Sequence, residues 1–177
     1  MTRSAIFLDR DGTLNELVYR NKQLLGPRMA DQFRLFPDVE EVDRRLRKLD
    51  YLVFVVTNQP DIARGFLDPV ELEKMTRTLM EAIRVDEVLI CPHDDRDNCK
   101  CRKPKPGMLI DLADRWNVDL KLSYMVGDLW KDVVAGQTAG CFTIQIGRPK
   151  WRQPYPNVAV ETLMDAIKMI ESNSNGT

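Results

Sequence analysis

The sequence has almost no excess charge of either sign. Its 26 basic side chains are matched by 27 acidic ones, a net of −1. No global field therefore draws the chain to nucleic acid or to an acidic membrane surface, and no basic, aromatic-laced stretch marks a nucleic-acid interface. Long apolar runs are missing too. None approaches the roughly 18 residues of a membrane span. The first residues carry no basic region followed by an apolar stretch, so no secretory signal is expected. There is no internal repeat and no low-complexity linker. What remains, 44% hydrophobic and 30% charged residues in 177, is the profile of a soluble globular chain. Its length suits one domain with a real core, expected over residues 1–172, with a disordered tail at 173–177. A cytoplasmic monomer is the expectation, with no nucleic-acid or membrane partner.

Against that neutral background, charge is concentrated at one place near the start. The apolar run Ile6-Phe7-Leu8 ends in Asp9 and Asp11, followed by Gly12 and Thr13. An apolar run closed by a turn residue reads as a strand buried on both faces. Its end then places two carboxylates at the carboxyl edge of a sheet, where open α/β sheets bind ligands. Two carboxylates this close repel each other and call for a cation or a shared proton.

The rest of the chain alternates strands and helices. Helical spacing of Val39, Val42, Leu46 and Leu49 predicts a helix over 38–49, with Asp38 as N-cap and Glu41 in capping-box position. Strands are predicted over 51–56, 85–90, 122–126 and 141–146. Further helices are predicted after the Asp68-Pro69 cap, from Pro106 to Trp116 and over 130–139. A strand-like piece and a terminal helix are predicted within 157–170. This order implies an α/β fold with a doubly wound, mainly parallel sheet. Residues 16–37 form a long polar stretch without evident periodicity. It either lies over the two aspartates or is a mobile surface loop.

Reactive residues fall at the strand ends. Thr57, Asn58 and Gln59 follow the second strand and Asp128 follows the fourth. A parallel sheet brings all these ends to one edge. Thr57 and Asn58 offer donors to an anion. Asp9, Asp11 and Asp128 offer the oxygen ligands that Mg²⁺ prefers. Arg102 and Lys103 stand just before a helix start, which also favours anions. Each feature alone is ordinary turn chemistry; together they suit a phosphate and a divalent cation.

Three of the four cysteines and the only histidine lie within eleven residues, as Cys91-x-His93-x5-Cys99-x-Cys101. Four such ligands suit a closed, tetrahedral and therefore structural Zn²⁺ site over 91–101. A metal-free loop or a redox pair stays open. Cys141 is expected to be a plain buried thiol.

The motifs Asp9-Arg10-Asp11-Gly12-Thr13, Thr57-Asn58-Gln59, Lys103 and Gly127-Asp128-x-x-x-Asp132 resemble those of the haloacid dehalogenase superfamily, phosphatase branch. Ile62-Ala63-Arg64-Gly65, Cys91-Pro92-His93 and the run Cys101 to Leu109 are similar to the heptose 1,7-bisphosphate phosphatases, with the histidinol-phosphate phosphatases as near relatives. The resemblance covers roughly residues 5–147 and implies a Rossmann-like fold without a large cap domain. It implies Asp9 as nucleophile and Asp11 as acid and base. It implies Mg²⁺ on Asp9, Asp128 and the main-chain carbonyl of Asp11. Thr57, Asn58, Gln59 and Lys103 become contacts to phosphate, Asp132 a residue steering Lys103 or the metal, and Arg102 a contact to the distal part of a small phosphorylated metabolite. Two features depart from the relatives. The cysteine loop is short, and Pro60-Asp61 stands where Ser-Gly is common, removing one N–H from the site's edge. An inactive zinc-stabilised binding module is the reading of another class.

Overall fold

The computed structural model describes residues 2–147 and 154–174. Its centre is β1 (Ala5–Leu8), whose four residues are all fully buried. With no polar face, β1 is stable only between two strands and two helix layers. It pairs in parallel with β4 (Leu52–Asn58) on one side and β6 (Tyr124–Gly127) on the other. In order across the sheet, β5 (Glu87–Cys91) is followed by β4, β1, β6, β7 (Phe142–Ile146) and β8 (Val158–Val160), every described pair being parallel. Ile6 stands level with both Val53 and Tyr124. The order reverses at β1, so the crevice beyond its carboxyl end is the expected ligand position.

Helices α1 (Val39–Leu46), α2 (Pro69–Ala82) and α5 (Leu163–Ser174) pack on one face through Val42, Met75, Leu79 and Ile167, against Ile6, Leu8, Val55 and Val126. The other face, Phe7, Phe54 and Met125, is covered by α3 (Gly107–Trp116) with Met108, Leu109 and Leu112. Helix α4 (Trp130–Ala139) lies beside α3 and over β6 and β7. The doubly wound sheet expected from the alternation is therefore present.

Several local expectations are corrected. Asp38 makes no side-chain cap, because its backbone is not extended there, and Glu41 pairs with Arg44 and Arg45 instead. Asp68 does cap α2, accepting from the Val70 N–H at 2.8 Å, and Glu71 in its first turn accepts from the Ala30 N–H. Residues 16–37 are not irregular. They contain an antiparallel hairpin, β2 (Val18–Arg20) and β3 (Gln23–Leu25), turned by Asn21 and Lys22 at positive φ. The terminal helix runs on through Ser174, so 173–174 are helical rather than disordered; positions 175–177 lie outside the described residues.

Candidate active site

The site is built from the carboxyl ends of β1, β4 and β6 and from the loop between β5 and α3. Asp9 continues β1, donating its N–H to the Val126 carbonyl at 2.9 Å. Lys103 crosses from the loop to meet it. Its Nζ donates to Asp9 Oδ1, Asp132 Oδ1 and the Val56 carbonyl, each at 2.7 Å, and the lysine is 2% exposed. A buried ammonium is tolerable only with its donors engaged like this. Burial opposes the charge on Lys103, but Asp132 and Asp9 outweigh it and hold its pKa above the usual lysine range.

Asp128 closes the acidic side. One of its oxygens, Oδ1, is buried with no hydrogen-bond partner. Burial, with the charges of Asp9 and Asp132, pushes its pKa up to about 8. Burial likewise pushes Asp9 up to about 7, although Lys103 pulls the other way. Three carboxylates stand near one ammonium, which pairs with only two of them, so the site is short of positive charge. Oxygens of Asp9, Asp128 and Asp132 lie within 4.8 Å of one another and could hold a metal ion. The orphaned Asp128 oxygen fits that use. Gly12 is required for it: its φ is +87°, and a Cβ there would stand 2.4 Å from Asp128 Oδ2.

Asp11 points elsewhere. Arg10 grips its carboxylate with Nε and Nη2 at 3.0–3.1 Å, Asn15 Nδ2 donates at 3.0 Å, and Gln59 Nε2 donates at 2.7 Å. The carboxylate of Asp11 therefore stands outside the group that could hold a metal, which is made of Asp9, Asp128 and Asp132. Arg10 is fully buried beneath Phe33. Neither it nor Asn15 was expected to matter, and a basic residue between two aspartates gives no sequence signal of burial.

The expected anion contacts divide. Thr57 and Lys103 line the cleft beside Asp9. Asn58, expected to bind an anion, has both ends of its amide on the Lys103 main chain, at 2.9 and 3.0 Å, and so anchors the lysine instead. Both amide protons of Gln59 are likewise engaged within the chain. Arg102 lines the cleft, is 8% exposed, and is held at Nε by Asp95 at 2.7 Å, while its Nη1 has no partner. The cleft has a volume of about 290 Å³; Leu24, Leu25, Gly26 and Pro27 of the hairpin region line one side. The 16–37 stretch thus lies over the aspartates. At the rim, Asp61 binds Arg28 at 2.6 Å, and Arg64 is clamped by Asp94.

Next to this cleft, Cys91, His93, Cys99 and Cys101 converge, with ligand atoms within 4.8 Å. The three sulfur atoms are 3.2–3.7 Å apart, and His93 Nδ1 is 3.3 Å from Cys101 Sγ. A tetrahedral ion with metal–sulfur bonds of ~2.3 Å spaces its sulfurs about 3.8 Å apart, so the donor set fits one. No cysteine is in a disulfide. Cys141 is buried apart from the cluster, and burial pushes its thiol up to about 12.

A family model for haloacid dehalogenase-like hydrolases matches residues 15–140. The D-glycero-beta-D-manno-heptose-1,7-bisphosphate 7-phosphatases of Rhodopseudomonas palustris and Pasteurella multocida are 36% and 32% identical to this chain. Those matches cover 78% and 96% of this chain and 80% and 97% of theirs. The crystal structure of D,D-heptose 1,7-bisphosphate phosphatase from B. bronchiseptica, complexed with magnesium and phosphate, superposes with a TM-score of 0.82 at 31% identity, covering 96% of this chain and 99% of that one. A putative HAD-like phosphatase from Mesorhizobium loti gives 0.79 at 28% identity, covering 98% and 88%.

Proposed function

The chain belongs to the haloacid dehalogenase-like hydrolases and is a phosphatase, and we propose that it removes the C7 phosphate of D-glycero-D-manno-heptose 1,7-bisphosphate. The carrying observation is the buried Asp9–Lys103–Asp132 triplet beside the unsatisfied Asp128. Similarity along nearly the whole chain to phosphatases of that name supports the substrate.

In this reading Asp9 attacks phosphorus, the bond to the sugar oxygen breaks, and Asp11 delivers a proton to that oxygen. Asp11 then takes a proton from water, whose oxygen attacks the aspartyl-phosphate, releasing phosphate and restoring Asp9. Lys103 and the Thr57 hydroxyl meet the phosphoryl oxygens, and this charge stabilisation supplies most of the rate. Asp132 and Asn58 hold Lys103 in place. Asp9 and Asp128, with the main-chain carbonyl of Asp11, would hold Mg²⁺, which when bound neutralises the repulsion between carboxylate and phosphate. Cys91, His93, Cys99 and Cys101 would hold a structural Zn²⁺ that fixes the loop carrying Arg102. The unpaired thiols support a reducing, cytoplasmic compartment, and a monomer is the working form.

The test is phosphate release with Mg²⁺ from heptose 1,7-bisphosphate, other sugar bisphosphates and histidinol phosphate. The heptose bisphosphate is expected to give the highest kcat/KM. Preference for histidinol phosphate would overturn the substrate, and no release from any of them would overturn the catalytic reading.

A further inference from the structure

Gln59 was expected to touch the substrate, but the geometry gives it another task. It stands just past β4 and is 4% exposed. Its own N–H donates to the Cys91 carbonyl at 2.7 Å, tying it to the end of β5. Its side-chain amide lies between two groups with different jobs, 2.7 Å from Asp11 Oδ2 and 3.0 Å from Thr57 Oγ1. The amide presents its NH₂ end to both, Nε2 donating to Asp11 Oδ2 and to Thr57 Oγ1. Both of its protons are then engaged, one on each neighbour.

We propose that Gln59 is a positioning residue that couples the phosphate grip to proton transfer, by aiming the Thr57 hydroxyl and the Asp11 carboxylate with one buried amide. Thr57 Oγ1 accepts from Gln59, so its own proton turns away from Gln59. Among the described residues it has no other hydrogen-bond partner. The free direction is the cleft that Thr57 lines together with Asp9, where a phosphoryl oxygen would accept it. On the other arm, Gln59 holds the Asp11 oxygen that Arg10 holds least, since Oδ1 takes two bonds from Arg10 and one from Asn15, whereas Oδ2 takes one from Arg10. Without the amide, that oxygen keeps a single bond, from Arg10, and its aim at a leaving group loosens.

The inference rests on the phosphatase reading with Asp11 as proton donor, and two esters separate it from a merely structural role. A sugar phosphate leaves as an alkoxide and needs the proton. p-Nitrophenyl phosphate leaves as a stabilised phenolate and does not. In Mg²⁺-containing buffer, Gln59→Met, which keeps the chain length but lacks the donors, is expected to lower kcat about 10²-fold on whichever sugar phosphate the wild-type protein hydrolyses fastest. On p-nitrophenyl phosphate the fall is expected to be about tenfold or less. Inhibition by inorganic phosphate should weaken several-fold through the Thr57 arm. In an Asp11→Asn background the same substitution should lower sugar-phosphate kcat by no more than the roughly tenfold or less expected on p-nitrophenyl phosphate, because only the Thr57 arm is left to lose and residues acting through one another are not additive. If Gln59→Met fails to fold, Gln59→Glu is expected to show the same selective loss. Equal losses on both esters, or full additivity with Asp11→Asn, would overturn the inference. A wild-type protein that hydrolyses neither ester would overturn the phosphatase reading itself.

Discussion

Lys103 is a tightly constrained charge, since its ammonium compensates two buried carboxylates at once. Lys103→Met would strand both. Removing one partner of a buried ion pair costs about 3–5 kcal/mol, so urea unfolding should show a loss of that order, together with loss of turnover. Asp9→Asn should abolish phosphate release while keeping the fold, because it removes the attacking oxygen and a negative charge that burial disfavours. Asp9 and Asp128 also set a pH dependence. Their folded values, about 7 and about 8, lie above the usual aspartate value of 3.8. The folded state therefore binds more protons than the unfolded one between these limits, and stability falls as pH rises through that window. Thermal unfolding of metal-free protein should show a lower Tm at pH 8 than at pH 5, and Mg²⁺ should recover most of the difference at pH 8. The positions of Asp9 and Asp128 were legible in the sequence because each follows an apolar run. The burial of Arg10 was not: a charged residue between two acids reads as solvated until the turn at Gly12 folds it under Phe33.

Among the elements, the loop from Cys91 to Lys105 contributes only its cysteines to the apolar core. It is shaped by the thiol–imidazole cluster, by Asp94 and Asp97 capping one short turn, and by Lys105 donating to Asn98 and Cys99. Cys99→Ser, or stripping the metal, should raise amide exchange through residues 91–105 and raise KM several-fold through Arg102, with a smaller change in kcat. Hydrogen-exchange mass spectrometry and steady-state kinetics would check both parts. Metal analysis showing no bound zinc in freshly purified protein would remove the basis of this prediction. The cluster was legible because three cysteines and one histidine fell at metal-binding spacing. The hairpin was not. Its strands are three residues each, too short for alternation to register, and Lys22 at φ +62° is a turn residue that propensity does not favour. The capping box at Asp38 failed for a related reason. Residue type permitted it, but the preceding Phe36-Pro37 turn set the backbone angles.

For the molecule as a whole, the alternation of strands and helices was enough to place the sheet, because strands apolar throughout have only one home, between two helix layers. What alternation could not give was which strand ends meet across the sheet. That depends on β1 lying between β4 and β6, and only then do residues 9, 57, 103, 128 and 132 share one crevice. Among the described residues, the exposed apolar side chains include the cross-strand pair Tyr19 and Leu24 on the hairpin and, elsewhere, Phe66 and Leu122. Sedimentation should give a single species near the 20.4 kDa chain mass.

The central position of the first strand also has a consequence for how the chain is made. Ile6 has its neighbours at Val53 and Tyr124, so a growing polypeptide carries a wholly apolar segment out of the ribosome long before both flanking strands exist. The second one arrives only when about two thirds of the chain has been synthesised, and the ribosomal exit tunnel delays it further. Until then β1 is an unpaired, wholly hydrophobic edge, the kind of segment that pairs with the wrong partner. Expression yield should therefore respond to translation speed and to chaperone supply more than the stability of the finished fold would suggest.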